Sequence, residues 1–152
     1  MKNKRTTGFW ILMIPGILIL VMLIFGQMMS FINYEFAVSV GLQESVDVFG
    51  EFGVAMNKAF GVGDTIIYLP LLVLGLLGLW QKKSWGISAL IGALAITAYW
   101  PLVHIVFVIY ANGLPGFNFT DYTSFIIVLI VISTYGLWGF VYLNNNRKLF
   151  MD

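Results

Sequence analysis

The only histidine of the chain, His104, lies in a long apolar run, three residues after Pro101. Measured from Trp85 at 1.5 Å per helical residue, it lies roughly 28 Å along a helix, close to one boundary of a bilayer's hydrocarbon core. An imidazole beside one or two carboxylates can bind Zn²⁺ or relay a proton. The alternative is a structural imidazole that donates a hydrogen bond to a backbone carbonyl or a Tyr, with the nearby acids forming a solvated face.

The carboxylates that could act with His104 belong to the same boundary. Six of the seven acidic residues fall there: Glu35, Glu44, Asp47, Glu51, Asp64 and Asp121. Asp64 and Asp121 each stand at the start of an apolar run, where a side-chain oxygen can cap the first amides of a helix. Asp64 is also predicted to stand at the mouth of a helix bundle, facing His104. The two roles of Asp64 are compatible.

Aromatic residues with polar tips accompany this histidine. Tyr99 and Trp100 lie about 21 Å past Trp85, inside a membrane rather than at its edge. Together with Tyr68, Tyr110 and Tyr135 they could line a pocket, and the alternative is ordinary packing with each hydroxyl bonded to a neighbour. The candidate ligand-binding residues are therefore His104, Asp64, Glu44, Tyr99 and Trp100, and no catalytic residue, metal or cofactor is identified.

The composition decides which elements position these residues. Of 152 residues, 60% are hydrophobic and only 10% are charged, against about 25% charged in a soluble domain. The excess apolar surface must face lipid. We predict one all-α transmembrane domain over residues 1–152, with four membrane-spanning helices at about 9–30, 64–80, 85–111 and 121–143.

The segment of about 31–63 is the longest stretch outside the predicted spans. Between Gln43 and Phe60 its apolar residues recur at steps of three and four, which predicts an amphipathic helix. The Gly61-Val62-Gly63 sequence predicts a break before the second span. We therefore expect this helix to lie in the interface or to cap the bundle.

Charge gives the predicted bundle a direction. Seven of the eight Lys and Arg residues lie in the N-terminal arm, the turn at 81–84 and the C-terminal tail. Short loops on the cytoplasmic side of a membrane carry an excess of Lys and Arg. Both termini are therefore predicted to be cytoplasmic in a bacterial-type plasma membrane. Four of the five tryptophans lie at the same ends, as in an aromatic belt: Trp10, Trp80, Trp85 and Trp138.

Small residues mark the expected helix contacts, since they let backbones approach closely. They are Gly75, Gly78, Ala89, Gly92, Ala93, Gly136 and Gly139. The same stripes could form a seam between two copies of the chain, in which case a bulky residue at Ala93 would disrupt the oligomer.

Several classes of function are disfavoured. The chain has no Cys, no nucleotide-binding or hydrolase motif, and no basic stripe for nucleic acid. Its layout resembles the vitamin K epoxide reductase type of thiol oxidoreductase and the sterol-isomerase and sigma-2-receptor type, and also many uncharacterised four-helix bacterial proteins. The first resemblance implies Cys pairs and the second implies membrane-embedded acids. The chain lacks cysteine and its predicted spans have no central acid, so neither activity is carried over.

Three functions follow from these observations. The first is a non-enzymatic protein of the lipid bilayer that acts by association, with itself or with a membrane-protein partner. The alternative is a protein that binds or transports a small molecule, ion or metal through an outward-facing pocket near His104. The third is an intramembrane enzyme with His104 as acid or base. The pocket and enzyme hypotheses both require His104 to point between helices rather than into lipid.

Overall fold

A computed structural model describes residues 6–150, in which all regular secondary structure is helical. The helices are α1 (Thr7–Ile32), the short α2 (Tyr34–Ser39), α3 (Val46–Gln81), α4 (Ser84–Ala111) and α5 (Tyr122–Phe150). Four of them, α1, α3, α4 and α5, are long and apolar enough to cross a membrane. The predicted all-helical class and the number of candidate spans are confirmed. The basic residues Lys2, Lys4 and Arg5 lie outside the described residues.

Helix α3 differs from its prediction. It comprises 36 residues, with a kink at Gly50, whose φ of 69° and ψ of 169° are not helical. Beyond this kink it runs through the expected break at 61–63. The prediction that Asp64 caps a new helix is therefore wrong, because Asp64 lies inside α3 at the start of the π-helical stretch Asp64–Tyr68. Gly61 packs directly against Ser30 and the backbone of Gln27 in α1. Such tertiary packing outweighs the weak helix propensity of glycine.

The two ends of the bundle differ in charge. At one end, here called the basic end, lie the turn at Lys82 and Lys83 and the last turn of α5 with Arg147 and Lys148. The opposite end, here called the acidic end, holds the loops 40–45 and 112–121. Asn118 joins the loop 112–121 to the first turn of α3, because its amide donates to Asp47 O at 2.9 Å and its backbone N–H to Val48 O at 2.7 Å.

Glycines bring the helices into direct backbone contact near the basic end. Gly78 of α3 faces Gly86 of α4 so closely that a Cβ on either would overlap the other residue. A Cβ on Gly75 would lie 2.7 Å from the Cα of Leu90, and one on Gly136 would lie 2.8 Å from Leu94 O. The predicted role in helix contacts is confirmed for Gly75, Gly78 and Gly136, and these contacts lie within one chain, whereas a Cβ on Gly92 would meet only Leu71 Cδ1 at 3.7 Å.

Three polar side chains beside the main hydrophobic core have hydrogen-bond partners. The hydroxyl of Thr97 donates to Ala93 O at 2.8 Å, so Tyr68 Oη is the donor in its 2.6 Å bond to Thr97 Oγ1. Tyr135 likewise donates to Leu12 O at 2.8 Å. For Tyr68 and Tyr135 the structure therefore supports ordinary helix packing and not the lining of a pocket. The hydrogen bond of Tyr135 also connects α5 to α1.

Candidate functional site

A cleft of about 320 Å³ lies in the part of the bundle nearer the acidic end. One face of α1, Ile19 to Gln27, and one face of α5, Asp121 to Ile132, form its two sides. Its lining residues recur at steps of three and four along both helices, as expected for one helix face. Trp100 and His104 of α4 and the loop at 41–44 complete the wall. The volume falls within the range of small-molecule sites, about 300–1,000 Å³.

His104 lies in this wall and is 6% exposed. Its Nδ1 is 3.0 Å from Trp100 O, and because a carbonyl only accepts, Nδ1 carries the hydrogen of this bond. In the neutral ring Nε2 is then an acceptor. The ring also contacts Phe60 and the edge of Trp100, with centroids 4.9 and 5.2 Å apart. The hydrogen bond of the structural alternative is therefore present, and His104 also points between helices at a cavity.

Three of the five candidate ligand-binding residues come together in the cleft, namely Glu44, Trp100 and His104. Tyr99 does not, since it is 64% exposed on the outer surface of α4. Tyr110 is exposed in the same way. Asp64 is buried in α3 but is not among the residues that line the cleft. The placement of Asp64 at a bundle mouth is thus not what the structure has.

Other polar residues of the cleft were missed from the sequence: Gln27, Gln43, Asn57 and Ser124. One signal was available, because Gln27 is the only strongly polar side chain between residues 9 and 29. Gln27 lies in the π-helical stretch Leu23–Met28 of α1. Irregular turns of this kind are often found at functional sites.

Among the described residues, the buried Gln27 Oε1 at the cleft has no hydrogen-bond partner. The indole N–H of Trp100, which also lies at the cleft, faces the hydroxyl of Tyr68. A buried polar group without a partner costs about 1–3 kcal/mol. A bound molecule that offers complementary groups would relieve this cost.

Negative charge dominates the polar end of the cleft. Glu44 and Asp121 both line it, and burial, together with the nearby charge of Asp121, raises the pKa of the Glu44 carboxyl. Asp121 occupies the N-cap position of α5 without a side-chain capping bond, so its predicted capping bond is not formed. None of the lining residues is Lys or Arg. Lys58 instead lies over the ring of Tyr34, 5.5 Å from its centroid.

Aromatic rings close the cleft toward the acidic end. Phe49 and Phe119 line it, and together with Val108 they form a small buried cluster apart from the main core. Their centroids are 5.4 Å apart in an edge-to-face arrangement. The larger core cluster contributes Ile19 and Leu23 to the other part of the lining. The cleft therefore lies between two packed regions, with an apolar body and a polar, acidic end.

The part of the chain that the structure describes contains no set of side chains that could serve as metal ligands. Among residues 6–150 no three His, Asp or Glu side chains are grouped so that they could hold a metal ion. The arrangement around His104 suits an organic ligand better, because apolar surface and a few convergent polar groups are typical of small-molecule sites.

The sequence matches no family model, no curated protein and no solved structure.

Proposed function

We propose that this chain is an integral membrane protein that binds a small amphiphilic molecule in the cleft between α1 and α5. The observation that carries the proposal is the cleft itself, with the buried, unpartnered oxygen Gln27 Oε1 at its wall. Its apolar faces suit the body of such a molecule and its polar end suits a head group. Binding, alone or as a step of transport, is favoured over enzymatic use of His104, since among the described residues the hydrogen bond of that ring goes to the backbone carbonyl of Trp100 and not to an acid or base.

Association with another copy or a partner stays a prediction, with less support than before. Ala93, where a seam between copies was expected, is 0% exposed within the single chain. Gly75, Gly78 and Gly136 are likewise occupied by contacts between helices of the same chain. These four small residues therefore do not argue for an oligomer.

Binding can be tested with a neutral nitroxide amphiphile, the octanoyl ester of hydroxy-TEMPO, added to the protein in phosphatidylcholine nanodiscs. Electron paramagnetic resonance distinguishes immobilised probe from probe that is free in lipid. We expect an immobilised component that saturates at one probe per chain. Leu129→Trp and Ser124→Trp both fill the cleft and should remove this component.

The matched control is Ile127→Trp on the same helix, at a site that is 55% exposed and does not line the cleft. It should bind the probe as the wild type does. Ser124 is accessible, so Ser124→Trp keeps the test valid even if Leu129→Trp fails to fold. Absence of a saturable component in the wild type, or its survival in both cleft variants, would overturn the proposal.

We also propose that the acidic end faces outward in a bacterial-type plasma membrane, with both termini cytoplasmic. The separation of Lys and Arg from Asp and Glu supports this orientation. The absence of cysteine allows a simple test. In intact cells a membrane-impermeant maleimide should label Leu114→Cys at the acidic end, and it should label Asn145→Cys at the basic end only after permeabilisation. The reverse pattern would refute the orientation.

A further inference from the structure

We propose that the occupant of the cleft is an organic cation, an amphiphile whose head is a protonated amine. This inference rests on the proposed function and adds the chemical class of the ligand. It follows from three properties of the cleft: the balance of hydrogen-bond donors and acceptors, the charge of its polar end, and the aromatic surface beside it.

Two acceptor atoms of the cleft are free to meet a ligand. Gln27 Oε1 is buried without a partner, and His104 Nε2 is an acceptor because Nδ1 donates to Trp100 O. The amide of Asn57 already uses a donor on Tyr34 Oη, at 3.4 Å. An ammonium group has up to three donors and no acceptor, so it complements this set. A carboxylate or a fully ionised phosphate head has no hydrogen to donate to these two acceptors.

The negative charge at the polar end of the cleft also favours a cation. Glu44 and Asp121 lie in the lining without any Lys or Arg there to neutralise them. An incoming anion would be repelled by both carboxylates, whereas a cation would be attracted by both. The basic residue nearest in sequence to Asn57, Lys58, lies over the Tyr34 ring and does not line the cleft.

Aromatic faces complete the fit. Trp100, Phe49 and Phe119 line the cleft near its polar groups, and the face of an aromatic ring attracts a cation through its quadrupole. Below them the lining is aliphatic, with Ile19, Leu23 and Leu129. A chain of methylene groups under a protonated amine matches this order of polar and apolar surface.

The test compares two nitroxide probes that carry the same octyl chain, one neutral and one with a protonated secondary amine. In phosphatidylcholine nanodiscs the wild type should bind the cationic probe about tenfold more tightly than the neutral one, equivalent to about 1.4 kcal/mol. The double variant Glu44→Gln/Asp121→Asn should bring this ratio close to one.

The matched control is Glu35→Gln/Glu51→Gln, which removes the same charge from the same end at two exposed residues outside the cleft. It should keep the preference. Equal affinities for the two probes in the wild type, or equal loss in both double variants, would overturn the inference. In that case a saturable neutral probe would leave the proposed function standing, whereas failure of both probes would overturn the function as well.

A second arm identifies the source of the amine. Phosphatidylethanolamine added to the nanodiscs should displace the cationic probe if the ligand is a lipid head group, and dodecylamine alone should displace it if the ligand is a free amine. Either result supports the inference. Displacement by neither amine, or displacement by neutral dodecyl alcohol to the same extent as by dodecylamine, would refute it.

Discussion

Replacing Gly86 by alanine is expected to destabilise the bundle by about 1–3 kcal/mol, the usual cost of overpacking a closely packed interior. Gly86 and Gly78 bring the backbones of α4 and α3 into direct contact, and the new Cβ would overlap backbone atoms of Gly78. Backbone atoms cannot turn aside as the end of a flexible side chain can. The two helices must therefore move apart, and the packing around Leu79 and Leu90 would loosen with them. Thermal unfolding followed by circular dichroism in nanodiscs measures the change.

Gly92→Ala on the same helix is the matched control. A Cβ at Gly92 would meet only Leu71 Cδ1, at 3.7 Å, which is an ordinary contact. Alanine favours the helix by up to about 1 kcal/mol over glycine, so this variant should be neutral or more stable than the wild type. The two substitutions are chemically identical and should differ in sign. A Gly86→Ala variant that melts as late as Gly92→Ala would show that the helices do not meet as described.

Gly61→Ala is expected to lower both stability, by about 1–3 kcal/mol, and the affinity for the neutral nitroxide probe. Gly61 of α3 packs on Ser30 and on the carbonyl oxygen of Gln27 in α1. Ser30 Oγ lies 2.7 Å from Gln27 O and 3.3 Å from Asn57 O, so it connects the two helices at this point. A Cβ there would push α1 from α3 and displace Gln27 and Asn57, which both line the cleft. We expect the affinity to fall several-fold in the fraction that remains folded.

Gly63→Ala serves as its control, because a Cβ at Gly63 would have no atom within 4 Å. It should bind the probe normally and melt no earlier than the wild type. Gly86→Ala, far from the cleft, should lower stability with little effect on probe affinity. If Gly61→Ala matched Gly63→Ala in both measurements, the contact between α1 and α3 would not position the cleft.

The number of candidate spans and most of their ends were predictable from the sequence, because they depend on local composition. The start of α3 is the exception. A membrane-spanning helix needs about 20 apolar residues, and the chain contains four such runs between polar turns. The position of Glu44 and His104 toward the same end could be predicted in the same way, by counting residues along helices. The close approach of Gly75, Gly78 and Gly136 to other helices also followed from residue size alone.

The prediction of a helix break at Gly61 was wrong because helix propensity describes only the local sequence. Two glycines and a valine weaken a helix in isolation, but in the folded chain the absence of a side chain at Gly61 is what allows α1 to pack there. Asp64 was consequently assigned to a helix start, although it lies inside α3. The same glycine thus has opposite meanings in the sequence and in the structure.

Which side chains share the cleft was decided by tertiary structure. Tyr99 and Trp100 are adjacent in sequence and equally deep, yet Tyr99 is 64% exposed and Trp100 lines the cavity. The difference is the rotation of α4 about its axis, which is fixed by packing against α3 and α5. Each residue turns the helix by about 100°, so the sequence determined how far along the bundle each group lies. The direction in which each side chain faces depends on contacts between distant segments. The π-helical stretches that contain Gln27 and Asp64 shift that direction further.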